Sequence, residues 1–587
     1  MLDRTFEQLF IPGSNLSGDR ATMDWRFLLP SLELDTIVCM TKVTPAMLNN
    51  LTGIADRVII LTRNRLQEKT VRNSVSKCSE PGKIGVERFT HILPLPDASV
   101  DLWILDSDSA AIFKRKRFWS EANRIMSFTG VFYFETKTLL RRLFLWLNLN
   151  LMRKNGWKVS NSFWVTPFKG EIRTAVPLNE PGMTEFFFTH VIHGQSRRKR
   201  LAGSLGLLLN KFSVWEFLAP RRAHFLCRKG VDAFSGNVPL YVRGIGDHHG
   251  LDFSDFKVAL SARGKYNSNK AVLFLFKPGS QKARYVIKMT RSPEFNRRLE
   301  HEYHILYSLK RNNKVPDGTV PTVYFQGYHN KQALVCQKAI QGAPFRIRTL
   351  ATPDCPLAWS AMQWITLLGK NTAKRAPNHA VQAIQQLYKR FLEIYELSPE
   401  HRSFLNDIMT RFSHQATDMP TVLQHGDPGT WNIMVADDDQ VVFMDWESGE
   451  NEGFPLFDLF YFIRTFGTWI SRKSGEMDSL SSFTLHFINR SPLGDMLVSQ
   501  LQQYCYQVGV SVHLVEGLFY SCWMHRAIKE ATRLAPERVH FGHFYRLLCH
   551  CIDRRYSYGL RSLFELEPKE TFVERYIDIE PKNLTVR

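Results

Sequence analysis

Short apolar runs alternate with amphipathic segments over the first part of this chain. The runs have strand length, and apolar residues recur at helical spacing in the segments between them. Strands that alternate with helices form parallel sheets. We therefore predict an α/β, Rossmann-like domain over residues 1–229. The main predicted elements are strands at 35–40, 57–61 and 131–135, helices at 45–54 and 117–126, and a turn at 127–130.

The pattern changes after residue 230. Strand-like apolar runs dominate up to about residue 345, and helical spacing dominates from residue 346 onwards. We predict an α+β arrangement of two lobes, a sheet-rich lobe at residues 230–345 and a helical lobe at residues 346–587, with a cleft between them. The predicted strands lie at 271–276, 284–289 and 333–340, and the predicted helices lie at 293–310, 380–397, 514–532 and 544–552.

Two carboxylates and one amide stand at a fixed spacing between residues 422 and 447. Asp427 lies on a predicted loop, Asn432 follows five residues later, and Asp445 ends a short apolar strand. Phosphoryl transfer depends mainly on positioning and charge neutralisation. Asp427 is therefore the candidate base for an acceptor hydroxyl. Asn432 and Asp445 are the candidate Mg²⁺ ligands, because Mg²⁺ prefers oxygen. The alternative is an ordinary polar loop before a hairpin.

The same segment resembles the catalytic core of protein-kinase-like enzymes. It reads H-x-D-x-x-x-x-N, followed by a strand that ends in Asp. The Gly at its second position, the Asp-Trp-Glu sequence and residues 453–459 are similar to the aminoglycoside phosphotransferase and choline kinase family. The resemblance implies an ATP-dependent phosphotransferase that acts on a hydroxyl of an amino sugar, an amino alcohol or a glycan intermediate. ATP and Mg²⁺ would be its cofactors.

The resemblance also implies a nucleotide-binding lobe upstream. Lys288 stands on a predicted strand, where such enzymes use a lysine to hold nucleotide phosphates and a helix glutamate to fix that lysine. Glu300 and Glu302 both lie on the following helix, and the family pattern of aliphatic residues favours Glu302. The run at residues 333–340 is similar to the hinge between lobes. Its backbone is expected to hold the adenine edge, at Gln337 and Ala339.

The loop expected to cover the nucleotide phosphates has no glycine-rich motif. Residues 258–270 contain one turn glycine, Gly264, before a returning strand. Gly264, Ser268 and Asn269 are the candidate backbone donors to phosphate. The alternative is a plain hairpin turn.

Acidic residues follow the candidate metal site. Glu447, Glu450 and Glu452 are positioned either to receive a cationic acceptor or to form a solvated acidic loop. The sequence leaves this choice open.

The N-terminal region resembles class I S-adenosylmethionine methyltransferases in its second half. The similarity rests on residues 93–105 and on the helix, turn and strand that follow. A cofactor site of this fold needs a glycine-rich turn after the first strand and an acid after the second. Lys42 and Val43 occupy that turn, and Thr62 stands near the position of the acid. We therefore expect a degenerate domain that does not bind S-adenosylmethionine.

Two other functions stay open from the sequence. The chain could be a bifunctional methyltransferase–kinase that acts on a glycan, or a non-catalytic scaffold with a kinase fold. Lys288, Asp427, Asn432 and Asp445 are all present, which argues against the scaffold, because a non-catalytic protein has no physical need for that set.

Net charge and local composition indicate acidic partners. The formal net charge is +20, from 76 basic and 56 acidic residues in 587. Basic and bulky apolar residues adjoin at residues 139–147 and 197–217, in runs too short or too interrupted to cross a bilayer. They are typical of helices that lie on an anionic membrane surface, or of helices packed between domains. We see no nucleic-acid-binding motif and expect no nucleic-acid partner.

Cysteine usage and the N-terminus indicate the cellular location. The nine cysteines are scattered and form no C-x-x-C pair. The N-terminus carries early acids and lacks the apolar core of a secretory signal. We expect a reducing, cytoplasmic location, with peripheral membrane contact as a further possibility.

Overall fold

The computed structural model describes residues 23–89, 92–106, 109–137, 150–168, 171–192, 197–212, 215–219, 221–231, 238–262 and 270–566. Contacts divide these residues into two compact units. The first unit contains the described residues up to 300 and residues 323–341, and the second unit contains residues 301–322 and 342–566. This division differs from the predicted boundaries at residues 229 and 345.

A mixed sheet of 13 described strands runs through the first unit. Its parallel half is built from β1 (Leu34–Met40), α1 (Pro45–Thr52), β2 (Ala55–Thr62), α2 (Arg65–Val75), β3 (Ile84–Arg88), β4 (Val100–Leu105), α3 (Lys116–Ile125) and β5 (Met126–Thr136). The strand order is β3-β2-β1-β4-β5, and these neighbours pair in parallel. The predicted Rossmann-like α/β arrangement of this region is confirmed. The predicted turn at residues 127–130 is wrong, because β5 already begins at Met126, opposite Val100.

Antiparallel strands extend the sheet beyond β5. They are β6 (Trp157–Phe168), β7 (Glu171–Pro177) and β8 (Arg222–Arg228), and their order continues as β8-β6-β7. Three α-helices and a π-helix (Phe187–Ile192) lie between β7 and β8 in the described part of the chain, and the α-helices are α4 (Pro181–Phe186), α5 (Arg197–Lys211) and α6 (Trp215–Leu218). No helix of the described part of the chain is both long and apolar enough to cross a bilayer. The run at residues 139–147 lies outside the described residues.

The sheet continues directly into the predicted nucleotide lobe. The elements there are α7 (Leu240–His248), β9 (Lys257–Ser261), β10 (Lys270–Phe276), β11 (Ala283–Thr290), α8 (Asn296–Arg311), β12 (Val323–His329) and β13 (Gln332–Lys338). β9 pairs with β7 at Thr174–Ser261 and Ala175–Leu260, and the order then runs β9-β10-β11-β13-β12. The two predicted regions therefore share one sheet.

One hydrophobic core also spans both regions of the first unit. Trp25 stacks on Tyr133 with ring centroids 3.7 Å apart, and both belong to the same core as strands β9 to β13. Asp24 is 1% exposed and forms an ion pair of 2.8 Å with Arg291, which follows β11. A buried ion pair of this kind is costly to break, because the remaining partner stays buried and uncompensated. The N-terminal residues thus help to fix the strand that carries Lys288.

The second unit is mainly helical. Its helices are α9 (Phe345–Arg348), α10 (Pro356–Thr372), α11 (His379–Ile394), α12 (Pro399–Gln415), α13 (Phe457–Lys473), α14 (Ser479–Phe483), α15 (Pro492–Val508), α16 (Val515–Ala531), α17 (His543–Asp553) and α18 (Tyr558–Phe564). The strands β14 (Gly342–Pro344), β16 (Ile433–Ala436) and β17 (Val441–Phe443) form one small sheet, and β15 (Val422–Gln424) pairs with β18 (Glu450–Gly453). These elements hold the segment that contains Asp427, Asn432 and Asp445.

The shared sheet and core predict that a fragment of residues 230–587 will not fold independently. Removing residues 1–229 would expose the edge of β9 and half of the apolar core. We expect this fragment to be insoluble or to elute as an aggregate in size-exclusion chromatography, whereas the full chain elutes as a defined species. A monomeric fragment with a cooperative thermal transition would contradict this expectation.

Candidate active site

The backbone of the Asp427 loop is fixed by one buried carboxylate. Asp458, in the first turn of α13, accepts hydrogen bonds from the backbone N–H of His425 at 2.6 Å and of Gly426 at 3.1 Å. The His425 side chain is fully buried, and its Nε2 donates to the carbonyl of Met444 at 2.8 Å. The loop after β15 is therefore tied both to α13 and to the end of β17.

Gly426 takes a conformation that only glycine can adopt here. Its φ is 77°, in the left-handed region, and an added Cβ would lie 1.9 Å from the carbonyl oxygen of Ser448. Any side chain would have to displace backbone atoms. The glycine of the motif thus lets the loop pass directly over the turn after Asp445.

Asp427 and Asn432 lie in direct contact. The Asn432 Nδ2 donates to the Asp427 carbonyl at 2.9 Å and to the Asp427 Oδ2 at 3.1 Å. The carbonyl of Asn432 accepts from the Met444 N–H at 2.7 Å, so the β16–β17 hairpin places Asn432 beside the residue that precedes Asp445. The side chains of Asp427, Asn432 and Asp445 are all half-buried. The spacing read from the sequence therefore corresponds to one local constellation.

The donor set of this constellation fits Mg²⁺. Asn432 uses its amide nitrogen for both bonds to Asp427, which turns its amide oxygen away from that carboxylate. Asp445 has a φ of 68° at the end of β17, so its left-handed backbone redirects the chain at the predicted metal position. One carboxylate and one amide oxygen suit an ion that takes its remaining ligands from water and nucleotide phosphates.

Two residues at this site were not foreseen from the sequence, namely Tyr461 on α13 and Arg526 on α16. The Arg526 guanidinium lies 3.4 Å from the ring centroid of Tyr461, and its Nη1 is 4.0 Å from the Asp427 Oδ1. Burial acts to lower the pKa of Arg526, but Tyr461 and Asp427 outweigh it and raise that pKa. Burial and the charge of Asp427 raise the pKa of Tyr461. The available signal was an arginine, beside His525 and Lys529, in a helix rich in apolar residues.

The acidic loop is partly neutralised. The Glu450 carboxylate accepts from the Lys529 ammonium at 2.6 Å, and the His525 Nε2 is 3.3 Å away. Burial acts to raise the pKa of Glu450, but Lys529 and His525 outweigh it and hold that pKa well below its usual range. Burial lowers the pKa of His525 to about 4. Glu450 is therefore a half-buried ion-pair partner and not part of a solvated loop, whereas Glu452 is exposed.

The predicted nucleotide-binding residues of the first unit lie on paired strands. Lys288 is 6% exposed on β11, between Val272 of β10 and Val335 of β13. Gln337 is 1% exposed on β13, and the Ala339 N–H already donates to the Arg284 carbonyl at 3.0 Å. The amide of Ala339 is thus engaged within the sheet, which disfavours it as a direct adenine donor.

The remaining nucleotide predictions have different outcomes. Glu302, in the second unit, is fully buried on α8, while Glu300 of the first unit accepts from the Tyr328 hydroxyl at 2.8 Å. This difference in environment fits the choice of Glu302 and leaves its role a prediction. Gly264, Ser268 and Asn269 lie outside the described residues.

The positions that would bind S-adenosylmethionine carry side chains with structural roles. The Thr44 side chain accepts from the Met47 N–H and caps α1, and Lys42 in the same turn is exposed. Thr62 is fully buried at the end of β2, where its hydroxyl donates to the Glu87 carbonyl at 3.1 Å. The absence of cofactor binding stays a prediction.

Residues 267–477 match the sequence model of the phosphotransferase enzyme family. This range contains Lys288, Glu302, Asp427, Asn432 and Asp445, so the resemblance read from the motif and the kinase-like α+β fold of this region are confirmed. No curated protein sequence matches the chain.

Solved structures show similarity to both parts of the chain. An aminoglycoside phosphotransferase from Alicyclobacillus acidocaldarius is 12% identical, with 51% of this chain and 91% of that chain covered and a TM-score of 0.31. One from Streptomyces rimosus, in complex with ADP and streptomycin, is 15% identical, with 50% and 90% covered and a TM-score of 0.27. A SAM-dependent methyltransferase from Aquifex aeolicus is 13% identical, with 24% and 85% covered and a TM-score of 0.20. At these TM-scores the likenesses establish no function.

The geometry of Gly426 predicts a large stability loss for Gly426→Ala. Gly475 is a matched control in the same unit, with a φ of 99° and open space where a Cβ would be added. A left-handed backbone costs an alanine about 1–2 kcal/mol, so Gly475→Ala should lower Tm by about 2–8 °C. Gly426→Ala should lower Tm clearly further, because it adds the contact with Ser448. Equal Tm values for the two variants, measured by calorimetry, would contradict the close approach.

Proposed function

We propose that this protein transfers the γ-phosphoryl group of ATP to a hydroxyl group of a small molecule, such as an amino sugar, an amino alcohol or a glycan intermediate. The observation that carries the proposal is the contact between Asp427 and Asn432 on a loop held by Asp458, with Asp445 beside it on the hairpin. A base, two oxygen ligands for Mg²⁺ and a fixed backbone are the parts that this reaction needs. The family match over residues 267–477 supports the same chemistry.

Each residue has a distinct role in the proposed reaction. Asp427 takes the proton of the acceptor hydroxyl while the hydroxyl oxygen bonds to the γ-phosphorus of ATP. The bond from that phosphorus to the bridging oxygen breaks, and this oxygen leaves with ADP. Asn432 and Asp445 would hold Mg²⁺, which neutralises phosphate charge when bound. Lys288, fixed by Glu302, would hold the nucleotide phosphates. The strand at Gln337 would hold the adenine, through backbone groups other than the Ala339 N–H.

We also propose a division of labour along the chain. Residues 230–345 and 346–587 act as the two lobes of the kinase, and residues 1–229 form the Rossmann-like region. The shared sheet and core support a structural role for that region, since they support the strand that carries Lys288. This role needs no methyl transfer.

A second proposal concerns location: a cytoplasmic protein with peripheral membrane contact. Helix α5 supports it, because Leu205, Leu208 and Phe212 at and just beyond this helix are 57%, 53% and 68% exposed. The helix packs through Gly206, where an added Cβ would lie 2.4 Å from Phe188. An exposed apolar row beside a basic segment suits the surface of an anionic membrane.

The most direct test of the kinase proposal is ADP release by the purified full chain. The protein should release ADP from Mg-ATP in the presence of an accepted hydroxyl compound, and chelation of Mg²⁺ should abolish the release. Amino sugars, choline-like alcohols and glycan fragments form the first acceptor panel. ADP formation that persists without a divalent metal would contradict the assignment.

Asp427→Asn should lower turnover by at least ~10²-fold, the usual lower size of a general-base contribution. The substitution keeps the shape of the side chain, so Tm and the affinity for Mg-ATP should stay close to those of the wild type. Asp407→Asn is the matched control, because Asp407 is exposed on α12. Near-normal turnover of Asp427→Asn would remove this residue from the role of base.

The membrane proposal predicts liposome binding that depends on charge. Anionic vesicles should bind the protein, neutral vesicles should not, and salt should weaken binding, because exposed charges are screened over about 8 Å at physiological ionic strength. The combined substitution of Leu205, Leu208 and Phe212 by serine should abolish co-sedimentation. Leu66→Ser is the control, because Leu66 is 77% exposed on α2. The proposal would be contradicted if the triple serine variant bound anionic vesicles as well as Leu66→Ser does. It would also be contradicted if the wild type bound anionic and neutral vesicles equally.

A further inference from the structure

Three arginines gather around the proposed base. Arg346 of α9, Arg464 of α13 and Arg526 of α16, here called the arginine cluster, are linked through aromatic rings in the second unit. Tyr461 lies at the centre, with its ring 6.2 Å from that of Trp431 and 6.1 Å from that of Phe544. Arg526 stacks on Tyr461 itself. Arg526 therefore lies next to Asp427, and the aromatic rings around Tyr461 link Arg346 and Arg464 to it.

Arg464 is held by a neutral partner. Its Nη2 donates to the Nε2 of His543, and its guanidinium lies 5.1 Å from the ring centroid of Phe544. Burial, with Arg464 nearby, lowers the pKa of His543 to about 3, so this imidazole accepts the bond without carrying charge. Burial lowers the pKa of Arg464, and the charges of Arg526 and Arg472 lower it further, while Tyr461 and Glu530 act against this decrease. No carboxylate of the described chain lies within 4.0 Å of this guanidinium.

Arg346 reaches the loop of the proposed base from the other side. Its Nε donates to the Thr430 hydroxyl at 2.8 Å, and its guanidinium lies 5.5 Å from the ring centroid of Trp431. Burial, together with the charge of Arg472, lowers the pKa of Arg346 to about 10. Among the described residues it has no carboxylate partner either. Arg346 is thus a partly buried cation positioned on the catalytic loop.

Three nearby carboxylates act on part of the cluster, Glu530 on Arg464 and both Asp427 and Asp458 on Arg526, and none of them acts on Arg346. Asp458 accepts two backbone N–H groups, and the Glu530 Oε2 accepts the Phe544 N–H at 2.8 Å. Among the described residues, Asp427 is the carboxylate that lies within 4.0 Å of Arg526, and it is the proposed base. Partly buried charges are costly unless they are paired, so this local excess of cations is a feature that a bound anion would stabilise.

The cluster is open to a ligand. Arg346, Arg464 and Phe544 are half-buried, and Trp431 is 50% exposed. Arginine recognises phosphate and carboxylate through planar, paired hydrogen bonds. Glu450, a partly buried glutamate of the acidic loop that was a candidate for a cationic acceptor, is already paired with Lys529. The charges beside the base therefore favour an anionic substrate over an amine.

We infer that the acceptor carries a phosphate or carboxylate group near its reactive hydroxyl, and that Arg346, Arg464 and Arg526 bind this anion beside Asp427. The inference rests on the proposed function and narrows its substrate class. It selects an anionic glycan intermediate or a similar acid, and it excludes a simple amino sugar or amino alcohol.

The test uses the full-length protein saturated with Mg-ADP, so that the nucleotide site is filled. Four compounds with one sugar skeleton are titrated by calorimetry: glucose 1-phosphate, glucuronate, glucose and glucosamine. We expect measurable binding for at least one of the two anions and none for the other two compounds. Arg464→Gln and Arg346→Gln should weaken that binding at least tenfold, and Arg464→Lys should retain part of it. Arg402→Gln, at an exposed position on α12, is the control and should bind like the wild type.

Several results would overturn the inference. One is that glucosamine binds more tightly than either anion, and another is that neither anion binds. A third is that both glutamine variants keep the wild-type Tm and the wild-type affinity for the anion. A loss of Mg-ATP affinity without a loss of anion affinity would place the arginines at the nucleotide and would also overturn it. The proposed kinase function fails separately, if the wild type binds no Mg-ATP or if Asp427→Asn leaves ADP release unchanged.

Discussion

The Asp458 carboxylate sets the geometry on which the candidate active site depends. Burying a carboxylate is costly unless hydrogen bonds replace its hydration, and here two consecutive N–H groups of the catalytic loop do so. Burial raises the pKa of Asp458, and the charge of Arg526 and the backbone N–H groups of His425 and Gly426 act against that rise. Once the loop is held in this way, Gly426 must take a left-handed backbone under Ser448. Asp427 then points to Asn432, so a single buried group determines the position of the proposed base.

The continuous sheet of the first unit gives the N-terminal region a physical task. β11, which carries Lys288, lies between β10 and β13, and the same sheet runs through β9 and β7 into the Rossmann-like strands. The Asp24–Arg291 ion pair joins the start of the described chain to the end of β11. A region that buries this much of the shared core contributes to the fold whether or not it binds a small molecule. Loss of a cofactor turn at Lys42 would leave that contribution intact.

Features that depend on nearby residues could be predicted from the sequence, whereas pairings between distant residues could not. Periodicity identified the strand of Lys288 and helices α11, α16 and α17, and the spacing of Asp427, Asn432 and Asp445 identified one constellation, because its parts are close in the chain. The pairing of β7 with β9 has no local signal, since it depends on two strands far apart in sequence. Glu450 was open to a solvated reading because its partner, Lys529, lies 79 residues away. The same limit hid Arg526, although an arginine in a helix rich in apolar residues was a visible signal.

The reaction and the acceptor are encoded in different ways in this molecule. The groups that would move a phosphoryl group are held by backbone hydrogen bonds within a short segment, which is why a motif can reveal them. The groups that would select the acceptor come from α9, α13 and α16, and they meet only through side-chain contacts around Tyr461. Changes in these helices could alter the charge beside Asp427 without moving the loop. Similarity to a phosphotransferase family therefore indicates the chemistry, whereas the substrate must be argued from the arginines themselves.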